Sequence, residues 1–471
     1  MARIAFVQNI VYEYLGTEYL ASALEEKGHK AELFLENNTV KLIKSLSRFK
    51  PDLIGFSCTT GIHRWAIDMA RELKKALSCP TVFGGPHPTF FPEIIENNAV
   101  DIVCIGEGEH AISELAHRLD AEKDFCDVEN LWVKNRVGNI TKNPIRPLIE
   151  NLDSLSLPDR SLYYNKYPFL NKSQKSFFAG RGCPFSCTFC FNHILKDIYK
   201  DKGPFIRLRS QQNLIDEILE VRDKFGLKTV YLQDDTILFN KIWFLEFLKI
   251  YREKVNLPFV CLVRADLMDE EITRELKMSH CHCVFFGIET GDEKLRNELL
   301  KKNIKDSQII ETAHLLKKYK IRFRTYNILG LPGEKLEQSF KTVELNIKIK
   351  TDYPWCSLFF PYPMTELGEY AKDNNLMEED LNKFNHSFFH RSVIKLEHKN
   401  EISNLQKLFF YAVKMPVFFP LIKKAIRFKE NILYDFAFLF SYAIGYFKSE
   451  NLSFKDLITT ARHNIRNFFF K

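Results

Sequence analysis

A chain of 471 residues, 45% hydrophobic and 27% charged, is long enough for two or three domains and too apolar for extended disorder. Its formal charge of +7 is modest, and no nucleic-acid partner is expected from it. Eleven cysteines without a hydrophobic leader at Met1–Ala5 point to a reducing, cytoplasmic setting and to metal ligation rather than disulfides.

Residues 3 to about 125 alternate short apolar runs with amphipathic stretches, which predicts a doubly wound, Rossmann-like parallel sheet with helices on both faces. Arg3–Gln8 reads as the first strand and Gly16–Lys27 as a helix stopped by Gly28. Asp52–Cys58, Thr81–Gly85 and Asp101–Gly106 read as further buried strands. Each runs into small residues at the edge where such sheets bind ligands. Ser57, Thr59 and Gly61 follow one strand, Gly84 and Gly85 open the run Gly-Gly-Pro-His-Pro-Thr after the next, and Gly106, Glu107 and Gly108 follow the third. Glycines there let backbone approach a large flat ligand without side-chain clash. His63 and His87 are the nearest histidines and read as loop or core residues. From 127 to 170 the pattern loosens through Asn143-Pro144 and Leu157-Pro158-Asp159-Arg160, as expected of a crossing segment.

Between 171 and 370 apolar strands recur with helical stretches between them. They are Ser176–Ala179, Thr229–Gln233, Phe259–Arg264, Cys283–Glu289, Arg322–Leu329 and Trp355–Phe360, and six such units predict a partial (β/α)6 barrel. The chain's most specific feature follows the first of these strands, where Cys183, Cys187 and Cys190 fall within eight residues in the spacing Cx3Cx2C. Three thiolates from one tight loop can hold a four-iron, four-sulfur cluster while leaving one iron open to a non-protein ligand. The competing reading is a zinc site completed by His193. Cys281 and Cys283 read as core positions.

The last segment, 371–471, turns helical from about Ser403. Between Leu405 and Lys471 stand eleven Lys and Arg against four acids, a surplus equal to the +7 of the whole chain. Phe409-Phe410, Phe418-Phe419, Phe436–Phe440 and Phe468–Phe470 are interleaved with them. Basic helices rich in aromatic and aliphatic residues fit a peripheral membrane contact, and the longest apolar run, Ile432–Phe447, is shorter than the ~20 residues of a spanning helix. The alternative is a helical subdomain that buries its phenylalanines on the barrel and caps the active site.

The Cx3Cx2C run, with Phe189 before its last cysteine, resembles the signature of the radical S-adenosylmethionine superfamily. The strand-end runs of the first domain resemble the cobalamin-binding domain that precedes many barrels of that superfamily. The resemblance implies a cobalamin domain at 1–126, a linker at 127–170, a barrel at 171–370 and a helical extension at 371–471. It also implies three cofactors: a 4Fe-4S cluster on Cys183, Cys187 and Cys190, S-adenosylmethionine on its open iron, and cobalamin over the sheet edge, on a domain that lies over the barrel. Phe189, Asp234, Asp235, Arg264, Gly287, Glu289, Thr290 and Asn327 are the implied contacts to S-adenosylmethionine. Ser57, Thr59, Gly61, Gly84, Gly85, Gly106, Glu107 and Gly108 are those to cobalamin. Where many cobalamin proteins carry DxHxxG after the first strand, this chain reads Gln8-Asn9-Ile10-Val11-Tyr12, so no histidine is expected on cobalt.

The activity implied is methyl transfer to an unactivated carbon of a small or hydrophobic metabolite. In it a 5'-deoxyadenosyl radical abstracts hydrogen and methylcobalamin supplies the methyl group. The alternatives are an oxidative cyclisation of the bacteriochlorophyll-cyclase type and a sensor without turnover. The implied partners are a small-molecule or lipid substrate and an electron donor such as flavodoxin or ferredoxin. The expected location is cytoplasmic, with peripheral contact to the inner face of the membrane.

Overall fold

The computed structural model describes residues 1–378, 392–456 and 458–459. Phe468–Phe470, counted above toward the aromatic C-terminal end, lie outside the described residues. The chain divides into two compact units, one built on Met1–Lys172 with Tyr199–Pro204, the other on Ser173–Ile198 with Phe205–Leu457.

The first unit is a seven-stranded sheet of β1 (Arg3–Gln8), β2 (Lys30–Leu35), β3 (Leu53–Ser57), β4 (Thr81–Gly84), β5 (Ile102–Cys104), β6 (Leu131–Lys134) and β7 (Ile140–Lys142). Their order is β2-β1-β3-β4-β5-β6-β7, with the first five parallel and the last two antiparallel. The strand order reverses between β1 and β3, which in open parallel sheets places the ligand crevice at the carboxyl ends of these strands. Ile4, Ala5, Leu53, Ile54, Phe83, Ile102 and Val103 are almost wholly buried, as continuous apolar strands covered on both faces must be. β2 was not expected from the sequence, and only its Leu33 and Phe34 are fully buried, so it carries no continuous apolar run. The stretch 127–170 does more than cross between units. It supplies β6 and β7, and the wholly buried Arg160 reaches Glu13 at 2.6 Å and Glu18 at 3.5 Å. Tyr164 donates to the same Glu13 carboxylate at 2.8 Å, so this turn is bound to the first helix by a buried polar cluster.

The second unit holds β8 (Gln174–Phe177), a two-residue ribbon of β9 (Gly180–Arg181) and β10 (Arg207–Leu208), then β11 (Thr229–Leu232), β12 (Phe259–Val263), β13 (Cys281–Glu289), β14 (Arg322–Leu329) and β15 (Tyr353–Leu358). β8, β11, β12, β13, β14 and β15 pair in that order, all parallel, the six strands of the expected partial barrel. Phe177, Val230, Phe259, Val284, Phe286 and Phe323 meet the surrounding helices in the main core. Cys281 and Cys283 are buried within β13.

Among the described residues, the C-terminal segment packs on the barrel in more than one place, and Ala371 and Ile394 join Leu300, Leu331 and Phe359 in the apolar cluster that also takes Phe189. Lys399–Lys414 packs Ile402, Leu405 and Phe409 against Leu329, Val343 and Leu358 at the barrel's side. Ile432–Ser449 and the turn after it cross the amino-terminal mouth of the barrel. There Gln174 donates to the Glu450 carbonyl at 2.5 Å, Asn451 donates to Thr229 at 2.9 Å, and His282 Nε2 meets the Lys448 carbonyl at 2.9 Å. Arg324, buried inside the barrel over the Phe285 ring, pairs with the buried Glu450 at 3.1 Å and donates to the Gly445 carbonyl at 3.3 Å. The end of the helix Ile432–Ser449 is thus held at the amino-terminal mouth, where the buried arginine in the amino-terminal half of β14 pairs with the acid that follows it.

Breaking a buried ion pair strands its partner's charge, at about 3–5 kcal/mol. Glu450→Gln should therefore lower the unfolding free energy of the cluster-free protein by that amount, read as a lower denaturant midpoint at an unchanged slope, and an unchanged midpoint would show that the helix is no part of the barrel's cooperative unit.

Candidate functional site

The three cysteines lie on the loop after β9, and that loop is held from several sides. Asp234, just past β11, accepts the backbone N–H groups of Ala179 and Gly180, each at 2.8 Å, and so fixes the end of β8. Gly180 and Gly182 pass so close to the carbonyls of Arg207 and Phe205 that a Cβ at either would overlap them, and Gly182 has φ +90°. Farther on, Thr188 donates its hydroxyl to Leu299 O at 2.7 Å and its N–H to Leu300 O at 3.1 Å. Phe189 packs with Leu300, Leu331 and Phe359, so it anchors the loop in an apolar cluster.

Each sulfur meets a polar group from a different element. Thr236 Oγ1 lies 3.4 Å from Cys183, Asn192 donates toward Cys190 at 3.5 Å, and Arg264 reaches Cys187 at 4.0 Å. Burial pushes the Cys190 thiol up to about 11. It pushes Cys187 up as well, against the opposing pull of Lys302 and Arg264. These thiols shed protons when they bind metal. Among the described residues no three His, Cys, Asp or Glu side chains close on a point that one ion could occupy. A four-iron cluster spreads its thiolates over separate irons, and half-buried thiolates with one polar partner apiece suit it.

Beside Cys187 stands a group of buried charges. The Arg264 guanidinium lies 3.4 Å from the Phe185 ring centroid, is held by both Asp266 oxygens at 3.0 Å, and donates to Lys302 O at 2.8 Å. Lys302 pairs with Glu289, both buried. A β-bulge between Gly287 and Glu289 and a left-handed Glu289 backbone, φ +64°, turn this carboxylate toward Lys302, and a Cβ at Gly287 would overlap both charged groups. Wholly buried Arg296 fastens the next turn, donating to Thr290 O at 2.7 Å and to Asp306 at 2.8 Å.

Other residues expected at the site, and Glu334 near them, are engaged by hydrogen bonds within the fold. Thr290 is fully buried and pairs with Thr342 at 3.4 Å. Asn327 is buried, donating to Trp355 O at 2.8 Å and accepting from Asn346 at 2.8 Å. Asp234 is spent on the backbone of β8's end, while Asp235 accepts from Asn192 at 3.1 Å at the rim of the cysteine loop. Glu334 closes its own turn, accepting from Gly330 N at 2.6 Å, Leu331 N at 2.9 Å and Ser339 at 2.8 Å. Lys302, Thr236 and Asn192 were not anticipated. Only their type and their position after a strand or the cysteine loop hinted at them.

In the first unit, Ser57, Thr59, Gly61, Gly84 and Gly85 form the lip at the carboxyl ends of β3 and β4. Gly106 has its side-chain space filled by the Tyr199 hydroxyl, which also accepts from Glu107 N at 2.7 Å. The Glu107 carboxylate accepts from Ile149 N at 3.0 Å, and Gly108 sits against Leu20 and Cys104. These three residues thus have packing roles of their own. At the end of β1, Gln8 donates to Ile10 O and Tyr12 O, both at 2.5 Å. The His63 and His87 rings stack at 3.7 Å, with their Nδ1 atoms at Gly61 N and Thr60 Oγ1.

A family model described as the Radical SAM superfamily matches residues 178–345, and one described as a B12 binding domain matches residues 8–116. A Pyrococcus horikoshii protein described as an uncharacterized methyltransferase is 30% identical over 372 residues, 77% of this chain and 79% of its own length. The anaerobic magnesium-protoporphyrin IX monomethyl ester cyclase of Rubrivivax gelatinosus is 23% identical over 385 residues, 78% of this chain and 67% of the cyclase. The radical S-adenosylmethionine methyltransferase TsrM from Kitasatospora setae, solved with cobalamin and a [4Fe-4S] cluster bound, shares the fold with a TM-score of 0.66 at 16% identity, over 84% of this chain and 83% of that one.

Burial raises the carboxyls of Asp234 and Glu334 each to about 7. A carboxyl raised in the folded state binds its proton more tightly there than in the unfolded chain, so its contribution to stability is present below about pH 4 and is lost as pH rises to about 7. In cluster-free protein, the Asp234→Asn, Glu334→Gln double variant should show a shallower fall of melting temperature across that window than the unaltered chain. A steeper fall would contradict these assignments.

Proposed function

The chain belongs to the radical S-adenosylmethionine enzymes that carry a B12-binding domain, and from this we infer that it transfers a methyl group to an unactivated carbon of a small or hydrophobic metabolite. The observation that carries the reading is the loop of Cys183, Cys187 and Cys190, three thiolates with a separate polar partner each. When bound, the cluster with S-adenosylmethionine supplies a carbon-centred radical, and cobalamin supplies a methyl group. The chain's own residues hold and orient. Thr236, Asn192 and Arg264 compensate charge at the three sulfurs. Glu289 and Lys302 set an acceptor and a cation side by side, the pair that the ammonium and carboxylate of an amino-acid moiety require. Phe189, Leu300 and Phe359 keep water from behind the loop. In the first unit, glycines 61, 84 and 85 let backbone approach a flat ring system. The run after β1, Asn9 to Tyr12, offers no imidazole, so a cobalamin held at this edge would take no histidine from it. A cluster held here would take its electron from an external donor such as flavodoxin or ferredoxin. Work at a membrane surface completes the reading.

A second reading, oxidative cyclisation, is supported by the cyclase relative. One experiment separates the two. Metabolites and lipids of cells with and without the gene are compared by mass, with a Cys183→Ala, Cys187→Ala, Cys190→Ala variant as control. A product heavier by one methylene, lost in the variant together with 5'-deoxyadenosine formation, is expected. A product lighter by two hydrogens would favour cyclisation, and deoxyadenosine formation persisting in the variant would overturn both.

A further inference from the structure

The helix Ile432–Ser449 is buried at one end and bare at the other. Ser449 and Glu450 are enclosed at the barrel mouth, whereas Ile432, Leu433, Phe436 and Phe440 are 51–72% exposed. Their spacing of i, i+1, i+4 and i+8 places them along one helical face. The preceding segment adds exposed Val417, Phe418, Leu421 and Phe428. These side chains belong to a well-tied structure. Tyr434 donates to Ala425 O at 2.8 Å, Tyr411 to Ala437 O at 3.0 Å, and Asn404 to Phe428 O at 2.8 Å, joining three helical segments.

Charge is segregated in the same place. The acids of this region, Glu430 and Asp435, both turn to the buried Lys407, at 4.0 and 2.9 Å. Lys424, Arg427 and Lys429 are exposed and form no ion pair among the described residues. The tip that carries Leu421, Phe428, Ile432 and Leu433 is therefore both apolar and cationic.

We propose that this tip is a docking surface for an anionic lipid bilayer, lying in the interface with its apolar face among the headgroups and upper acyl chains. Lysine and arginine beside large apolar side chains match anionic headgroups above hydrocarbon. A second copy of the chain would bring the same positive charge to the contact. An acidic electron-transfer protein would match the charge but leave the protruding aliphatic and aromatic residues without a complement, since such encounters use small, weak interfaces. No helix among the described residues is long and apolar enough to cross the membrane, so the contact is peripheral. The surface is independent of the chemistry proposed above, and each can fail without the other.

The test is sedimentation of the full-length, cluster-loaded protein with vesicles of phosphatidylcholine alone or mixed with phosphatidylglycerol. Binding is expected on the anionic vesicles at low salt, reduced as salt rises. Lys424→Gln, Arg427→Gln, Lys429→Gln should weaken it by roughly a hundredfold, as the loss of three surface charges implies. Leu433→Ser, Phe436→Ser, Phe440→Ser should abolish it at any salt, with iron content and melting temperature unchanged. Failure of the unaltered protein to bind vesicles would overturn the proposal, as would equal binding by the serine variant. Should vesicles be ignored while the serine variant breaks a dimer, or the glutamine variant slows reduction by flavodoxin, the surface serves a protein partner and the lipid assignment is wrong.

Discussion

Three sulfurs that must all carry negative charge within eight residues repel one another, and no loop that short can hold them by its own conformation. Everything around the cysteine loop answers this constraint. Asp234 fixes the strand end before it, glycines 180 and 182 let it pass against the Phe205–Arg207 backbone, and Thr188 with Phe189 ties its far side to the turn after β13. Two of the three polar partners, Thr236 and Arg264, arrive from the ends of other strands, so the loop's electrostatics depend on those strands being in place. Lys302 and Arg264 add two cations beside Cys187, each with its own carboxylate, which limits the cost of burying them.

The barrel's two mouths are thereby assigned different work. The carboxyl ends of the strands carry the cysteines and the buried charges, as parallel barrels require for chemistry. The amino ends are closed by the C-terminal helix through Glu450, Asn451 and Lys448, whose contacts reach β8, β11, β13 and β14. An open six-stranded barrel exposes its interior aromatic residues at that end, and the helix covers them while leaving its first two turns outside.

How much of this could be read from the sequence follows from the range of the forces involved. The cysteine loop was legible because the spacing Cx3Cx2C brings three thiolates within reach of one small centre, although what holds them there comes from elsewhere in the barrel. Most of the barrel strands were legible because short apolar runs such as Phe259–Val263 and Val284–Phe286 recur between helical stretches, whereas β8 and β14 mix apolar with charged and polar residues. Lys302 was not, since Lys301-Lys302-Asn303 looks like a solvated turn until the bulge at Gly287 brings Glu289 over it. Arg324 looked like an ordinary strand residue, and its acid stands 126 positions away. Thr290 and Asn327 have the right chemistry and place for ligand contacts, yet Thr342 and Asn346, one turn apart on a neighbouring helix, take up their hydrogen bonds. Strands β6 and β7 are too short to announce themselves between turn residues. The phenylalanines of the C-terminal helices looked alike in sequence. Packing divides them, with Phe409 and Phe419 buried and Phe436 and Phe440 outside.

The central claim is that three thiolates hold four irons and leave one iron open. Mössbauer spectroscopy of protein reconstituted with 57Fe, before and after addition of S-adenosylmethionine, tests it most directly. One iron site of the four should change its isomer shift on addition while the other three stay as they were. Four irons that respond alike, or iron bound as a single ion, would contradict the account.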